Sequence, residues 1–221
     1  MLSIVVANFK SHKTQEEVKS WLASVTPTPG MVIAPSSLHL SMIHDLQPTI
    51  SLAAQDVSPF PPGSYTGAIN ASQLKELGVT YCIVGHSERR HYFHETAVDV
   101  AAKVKELVEV GIAPLVCLRK EDLAPCRAAL DDELVSDSYF CYEPEADIGG
   151  SVTAPLEDIH NITSQIKQLF HTQKVMYGGS VNAGSITSLV ALELSGVLVS
   201  TASLDPSSFN QIIAQLSHVK I

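Results

Sequence analysis

Apolar positions along this chain fall into two alternating rhythms. Short unbroken runs occur at 3–7, 31–34, 51–54, 81–84, 113–117, 138–142, 174–177 and 197–199. Each is too short to stand as a helix, and many are rich in β-branched residues, so they read as strands. Continuous apolar character, instead of strict alternation, marks strands buried on both faces, as in a parallel sheet. Between them, segments 15–24, 37–46, 96–110, 156–170 and 207–216 repeat apolar residues at helical spacing. In the second of these, Leu38, Met42 and Leu46 share the apolar face, while His39 and Asp45 turn elsewhere.

About eight strand–helix units in one domain of this length favour a closed (β/α)8 barrel of parallel strands. The alternation taken alone also fits an open doubly wound sheet. No linker, low-complexity tract or short repeat divides residues 1–221, so a single domain is expected, and 221 residues suffice for a substantial core. The Pro/Gly-rich stretch 58–67 follows a strand and reads as a projecting loop. Such a loop extends the face at the strand ends or docks on another subunit.

Charge narrows the functions. A formal net charge of −9 with only 14 Lys and Arg excludes nucleic-acid backbone binding as the main task. An anionic ligand must then be held by local dipoles and a few cations. Cys82, Cys117, Cys126 and Cys141 lack zinc-site spacing, and three lie inside apolar runs, so buried reduced thiols are expected. No run approaches the roughly 18 apolar residues of a membrane span, and the apolar stretch at the start is too short for a signal peptide. A soluble cytoplasmic protein without a membrane or nucleic-acid partner is the expectation.

The candidate chemistry sits where strands end. Asn8 and Lys10 follow the first run, and alternate spacing sends both to one side of an extended segment. There Lys10 can attract a phosphate or a developing enolate oxygen; a solvated loop lysine is the plainer reading. His86 follows an apolar run and Gly85, and Ser87-Glu88 can open a short helix whose start disfavours a positive charge, leaving the imidazole a neutral donor. The alternative is a histidine bonded to a backbone carbonyl. Glu88 can position Lys10 or His86, and with Arg89 and Arg90 it otherwise makes a charged turn that fixes the loop. Glu143 ends the run 139–142, with Pro144 blocking continuation of the strand. A carboxylate at that end of a barrel strand suits proton abstraction from carbon, although a loop Glu is ordinarily just exposed. The glycine-containing stretches 148–151 and 177–180 expose backbone amides, which serve either ordinary turns or anion binding.

Taken in order, Asn8-Phe9-Lys10, Ala54-Gln55-Asp56, Tyr65-Thr66-Gly67, Gly85-His86-Ser87-Glu88-Arg89-Arg90, Tyr142-Glu143-Pro144, Ile148-Gly149, Tyr177-Gly178-Gly179-Ser180 and Ala202-Ser203-Leu204 resemble the triosephosphate isomerase family over nearly the whole chain. The resemblance implies a TIM barrel and that family's division of labour: a glutamate base, a neutral histidine and a closing lid. It casts Glu143 as the base, His86 and Lys10 as stabilisers of an enediolate, Asn8 as a holder of the substrate oxygens, and Glu88 as their support. It assigns Gly149, Gly178, Gly179, Ser180, Ser200 and Thr201 to the phosphate, Ile148 and Leu198 to an apolar clamp over the base, and Thr66 to a contact between subunits. It implies a small phosphorylated triose as substrate, no metal or organic cofactor, and a homo-oligomer, dimeric or tetrameric.

The chain departs from the family pattern in several places. Glu145-Ala146-Asp147 and Gly150-Ser151-Val152 replace the usual lid hinges, and Ser200-Thr201 replaces a pair of glycines that would expose amides to the phosphate. Ala68 follows Gly67 where an acidic residue is usual, and Leu118-Arg119-Lys120 follows Cys117 where a Gly-Glu pair is usual. Two other readings stand beside the isomerase: a barrel acting on another small sugar phosphate, and a sugar-phosphate binder without catalysis, for which a base would be superfluous.

Overall fold

The computed structural model describes residues 2–144 and 153–218. Strands β1 (Ile4–Asn8), β2 (Met31–Ala34), β3 (Ser51–Ala54), β4 (Val79–Val84), β5 (Ala113–Leu118), β6 (Tyr139–Tyr142), β7 (Val175–Tyr177) and β8 (Gly196–Val199) close into a parallel barrel in chain order. The ring is completed by pairing of β1 with β8, with Val6 opposite Leu198. Because successive side chains alternate across a strand, each strand feeds two cores. Val6, Val32, Ala53, Ile83, Leu115, Cys117, Cys141, Met176 and Leu198 fill the barrel interior. The alternate residues pack outward against the helices, so the barrel is a second core and not a pore.

The helices are α1 (Gln15–Ser24), α2 (Leu40–Leu46), α3 (Ala71–Glu76), α4 (Ser87–Tyr92), α5 (Ala97–Glu109), α6 (Leu123–Ala129), α7 (Asp132–Asp137), α8 (Leu156–Leu169), α9 (Ile186–Val190) and α10 (Pro206–His218). Their starts follow local chemistry. Thr14 with Glu17, Asn70 with Gln73, and Thr96 with Asp99 form reciprocal capping boxes that satisfy otherwise orphaned amides. The first and last units meet through Trp21, which stacks edge-on against Phe9 at 4.9 Å, lies 5.5 Å from Phe209, and donates its indole N–H to the Ser203 carbonyl at 2.8 Å. Among the described residues no helix is long and apolar enough to cross a membrane.

The face expected of 37–46 is not the one that packs. This segment begins as a 3₁₀ turn, Ser37–His39, before α2. The tighter winding changes the phase, so His39, Leu40 and Ile43 go inward while Leu38 and Leu46 stand 86% and 53% exposed. The loop 58–67, between β3 and α3, is folded on itself by a Phe60–Tyr65 stack with centroids 4.6 Å apart.

Candidate active site

The site lies at the C-terminal ends of the strands. Asn8 closes β1 as a buried side chain, and its Oδ1 accepts the Lys10 amide at 3.0 Å. Lys10 has φ of +48°, a conformation that costs a non-glycine residue about 1–3 kcal/mol and persists only when neighbours enforce it. Gln55 supplies that enforcement from the end of β3: its Nε2 donates to the carbonyls of Lys10 (2.9 Å) and Ala34 (2.8 Å). The Lys10 ammonium lies 2.7 Å from Glu88 Oε1. Of the two partners proposed for Glu88, Lys10 is thus the one that its carboxylate holds.

His86 caps α4. Its Nδ1 accepts the Glu88 amide at 3.2 Å, so that nitrogen carries no proton and the imidazole is a neutral Nε2–H tautomer. The Glu88 carboxylate, 3.6 Å from the same Nδ1, therefore makes no hydrogen bond with it. Nε2 faces Glu143 Oε1 at 3.1 Å, while Glu143 Oε2 accepts the Ser87 amide at 3.0 Å. Both oxygens of this 2%-exposed carboxylate are thus held by one turn. The Glu143 amide donates to the Leu118 carbonyl at 2.9 Å, which anchors the end of β6 to β5.

Gly178 has a different duty from the phosphate contact suggested by sequence. Its amide is already bonded to the Tyr142 carbonyl at 2.8 Å. A Cβ there would lie 2.7 Å from Cys141 Sγ and 3.2 Å from Glu143 Cγ, so the missing side chain makes room for the carboxylate. Below it, Cys141 and Cys117 are register partners inside the barrel. Burial pushes the Cys117 thiol well up, with the Cys141 thiol and the Glu143 charge acting in the same direction.

Two cavities open on these residues. One, of about 280 Å³, is lined by Asn8, Lys10, His12, Glu88, Ser200, Thr201 and Leu204. It brings the Ser200-Thr201 pair to the ammonium of Lys10. The other, of about 680 Å³, has Asn8, Lys10, His86 and Glu88 on one wall and Phe60, Tyr65 and Thr66 on another. Its floor includes a charge cluster in which Asp56 reaches Lys103 at 2.6 Å and Arg89 at 2.8 Å, while Lys103 also pairs with buried Glu95.

Leu198 lies in the interior cluster, and Gly179 and Ser180 follow β7, where the Ser180 carbonyl accepts the Thr153 hydroxyl at 2.6 Å. Neither Gly179 nor Ser180 lines these two cavities. Ile148 and Gly149 lie outside the described residues. Sequence reasoning assigned no role to Gln55, to the Ser87 amide or to His12. Gln55 and Ser87 do sit inside two of the motifs that carry the resemblance, the only signal that could have marked them.

A buried carboxylate and a neutral imidazole facing each other at barrel strand ends, with a strained lysine beside an open cavity, define a barrel enzyme equipped for proton transfer. The sequence model of the triosephosphate isomerase family matches residues 3–216. The triosephosphate isomerase of Orientia tsutsugamushi (strain Boryong) is 33% identical over 242 residues, covering 96% of this chain and 97% of that protein. Those of Mycoplasmoides gallisepticum and Ehrlichia chaffeensis are 31% and 32% identical, each spanning 96% of this chain and 98% and 96% of their own lengths. The chain belongs to the triosephosphate isomerase family and is an isomerase.

Proposed function

We propose that this isomerase interconverts dihydroxyacetone phosphate and D-glyceraldehyde 3-phosphate through an enediolate, as a cytoplasmic enzyme of glycolysis and gluconeogenesis. The observation that carries the reading is the 3.1 Å approach of the neutral His86 Nε2–H to Glu143. An imidazole whose Nδ1 is occupied by a backbone amide has one proton to offer, and it offers it at the position of the base. A substrate entering between the two displaces this mutual bond. Glu143 then removes the carbon-bound proton and returns it to the adjacent carbon, while His86 donates to the oxygens on which charge develops.

Lys10 adds a positive charge on the same side, and Asn8 holds its backbone and contributes an amide to the oxygens. The phosphate occupies the cavity beside Ser200 and Thr201, with Gly149, Gly179 and Ser180 as further donors and Ile148 and Leu198 closing over the base. Binding energy from that remote group supports lid closure and exclusion of water. The protein works as a homo-oligomer in which loop 58–67 of one copy enters the larger cavity of another; the exposed Phe60–Tyr65 stack and the cavity beside Lys10 and His86 support this arrangement.

Glu143→Gln, assayed with both triose phosphates, should stay folded and lose on the order of 10²- to 10⁴-fold in kcat. Isomerisation at the parental rate would place the base elsewhere.

A further inference from the structure

We propose that Asp122 is a positioning residue for the reaction, holding the guanidinium of Arg90 where it ties the His86 end of β4 to β5 and so fixes the spacing between His86 and Glu143. The inference rests on the assignment of His86 and Glu143 given above.

The reacting pair comes from strands that are not neighbours. His86 follows β4, Glu143 follows β6, and β5 lies between. From β6 to β5 the link is the Glu143 amide on the Leu118 carbonyl. From β4 to β5, beyond the last strand pair, the link is Arg90. Its Nε donates to the Gly85 carbonyl at 2.8 Å, and its terminal nitrogen lies 3.4 Å from the Cys117 carbonyl and 3.3 Å from Cys126 Sγ. Gly85, with φ of +67°, presents that carbonyl immediately before His86, and a Cβ there would sit 2.7 Å from the guanidinium. The glycine and the arginine thus form one fitted joint.

A guanidinium whose side chain is only 7% exposed needs a counter-charge, because stranding it costs far more than the pair returns. Asp122 supplies it, with Oδ2 3.5 Å from Arg90 Nε. Asp122 is itself fixed from the other side. Arg119 donates to it through its backbone amide (3.0 Å), its Nε (3.0 Å) and a terminal nitrogen (3.3 Å). Leu118-Arg119-Lys120, where the chain leaves its family's pattern, thereby leads into a 3₁₀ turn, Lys120–Asp122, that carries the carboxylate to Arg90. Without Asp122 the guanidinium has reason to turn to water. It then releases Gly85, and the His86–Ser87 turn drifts relative to Glu143.

The test is Asp122→Asn in the full-length protein, with steady-state kinetics on glyceraldehyde 3-phosphate and the proton NMR signal of the His86 Nε2–H. Misplacement of reacting groups by about 1 Å costs on the order of 10²-fold, so kcat should fall by about 10- to 100-fold. KM should change by less than about threefold, because Ser200 and Thr201 stand across the ring after β8. The imidazole proton should move upfield as its bond to Glu143 lengthens, and Asp122→Glu should restore much of kcat. A variant that melts at lower temperature but keeps the parental kcat and proton signal would overturn the proposal, as would a loss confined to KM. Should Asp122→Asn fail to fold, Arg119→Gln decides: kcat reduced at constant KM supports the brace, and unchanged kcat overturns it. Glu143→Gln run alongside keeps the two readings apart, since an active Glu143→Gln removes the base assignment whatever Asp122→Asn does.

Discussion

Replacing Gly178 with alanine asks whether the empty space beside Glu143 matters for stability, for rate, or for both. The new Cβ would lie 2.7 Å from Cys141 Sγ and 3.2 Å from Glu143 Cγ. Non-bonded heavy atoms prefer separations of about 3.5–4.0 Å, so the sulfur must yield by roughly 1 Å and the glutamate by a few tenths. Cys141 is fully buried against Cys117 and has nowhere to retreat without moving β5 or β6. Overpacking of this kind costs about 1–3 kcal/mol. The glutamate term acts on rate. If 1 Å of misplacement is worth about 10²-fold, a few tenths should cost roughly three- to tenfold in kcat.

The two terms separate in the double variant Gly178→Ala/Cys141→Ala. Removing Sγ relieves the closer overlap and leaves the contact with Glu143 Cγ. Urea unfolding should then show the midpoint lowered in the single variant and largely recovered in the double, at constant m. The coupled isomerase assay should show kcat reduced in both. A single variant with parental midpoint and parental kcat would refute the packing argument. Full recovery of kcat in the double variant would show that the rate effect ran through Cys141 and not through direct contact with the base.

Assembly is checked by Thr66→Arg, which places a long charged side chain in loop 58–67; activity and molecular mass by light scattering should fall together, and a fully active monomer contradicts the shared-site arrangement. Helix capping predicts a pH effect. Hydrogen bonds from the Thr96 hydroxyl and backbone hold the Asp99 carboxyl below its ordinary value, so their contribution is present at neutral pH and is lost as the pH falls through the lowered native value, below about 4. Thr96→Ala should therefore cost about 1 kcal/mol at pH 7 and less at pH 3, by urea titration at each pH; an equal cost at both would remove the carboxylate from the explanation.

Much of the barrel could be read before the structure was seen, because its signals are local. The eight apolar runs mark the strands to within two residues at either end, and α1 falls at its expected bounds. The misses have a physical pattern. Helices α3, α6, α7 and α9 run five to seven residues, too few for a 3.6-residue period to declare itself, and such short helices owe their stability to packing. The face of 37–46 was misread because periodicity assumes one regular helix, and a single 3₁₀ turn at its start rotates everything after it. At the site, Asn8, Lys10, His86 and Glu143 were visible because chemistry-bearing residues directly after apolar runs stand out. Their supports were not, because Gln55 and Asp122 act through backbone carbonyls and another side chain, contacts that no spacing along the chain encodes.

The six residues from Gly85 to Arg90 show why that motif is dense. Gly85 offers a carbonyl to Arg90, His86 offers a proton to Glu143, and Ser87 offers an amide to the other oxygen of the same carboxylate. Glu88 uses its amide to fix the histidine tautomer and its carboxylate to hold Lys10. Arg89 turns outward to Asp56 at the cavity wall, and Arg90 turns inward to β5. A helix of six residues has little stability of its own. It holds its shape because nearly every group it carries is bonded to a different strand end. The same bonds that fold this turn therefore set the positions of the base, the proton donor and the ammonium, and a substitution at any of the six is expected to alter catalysis together with stability.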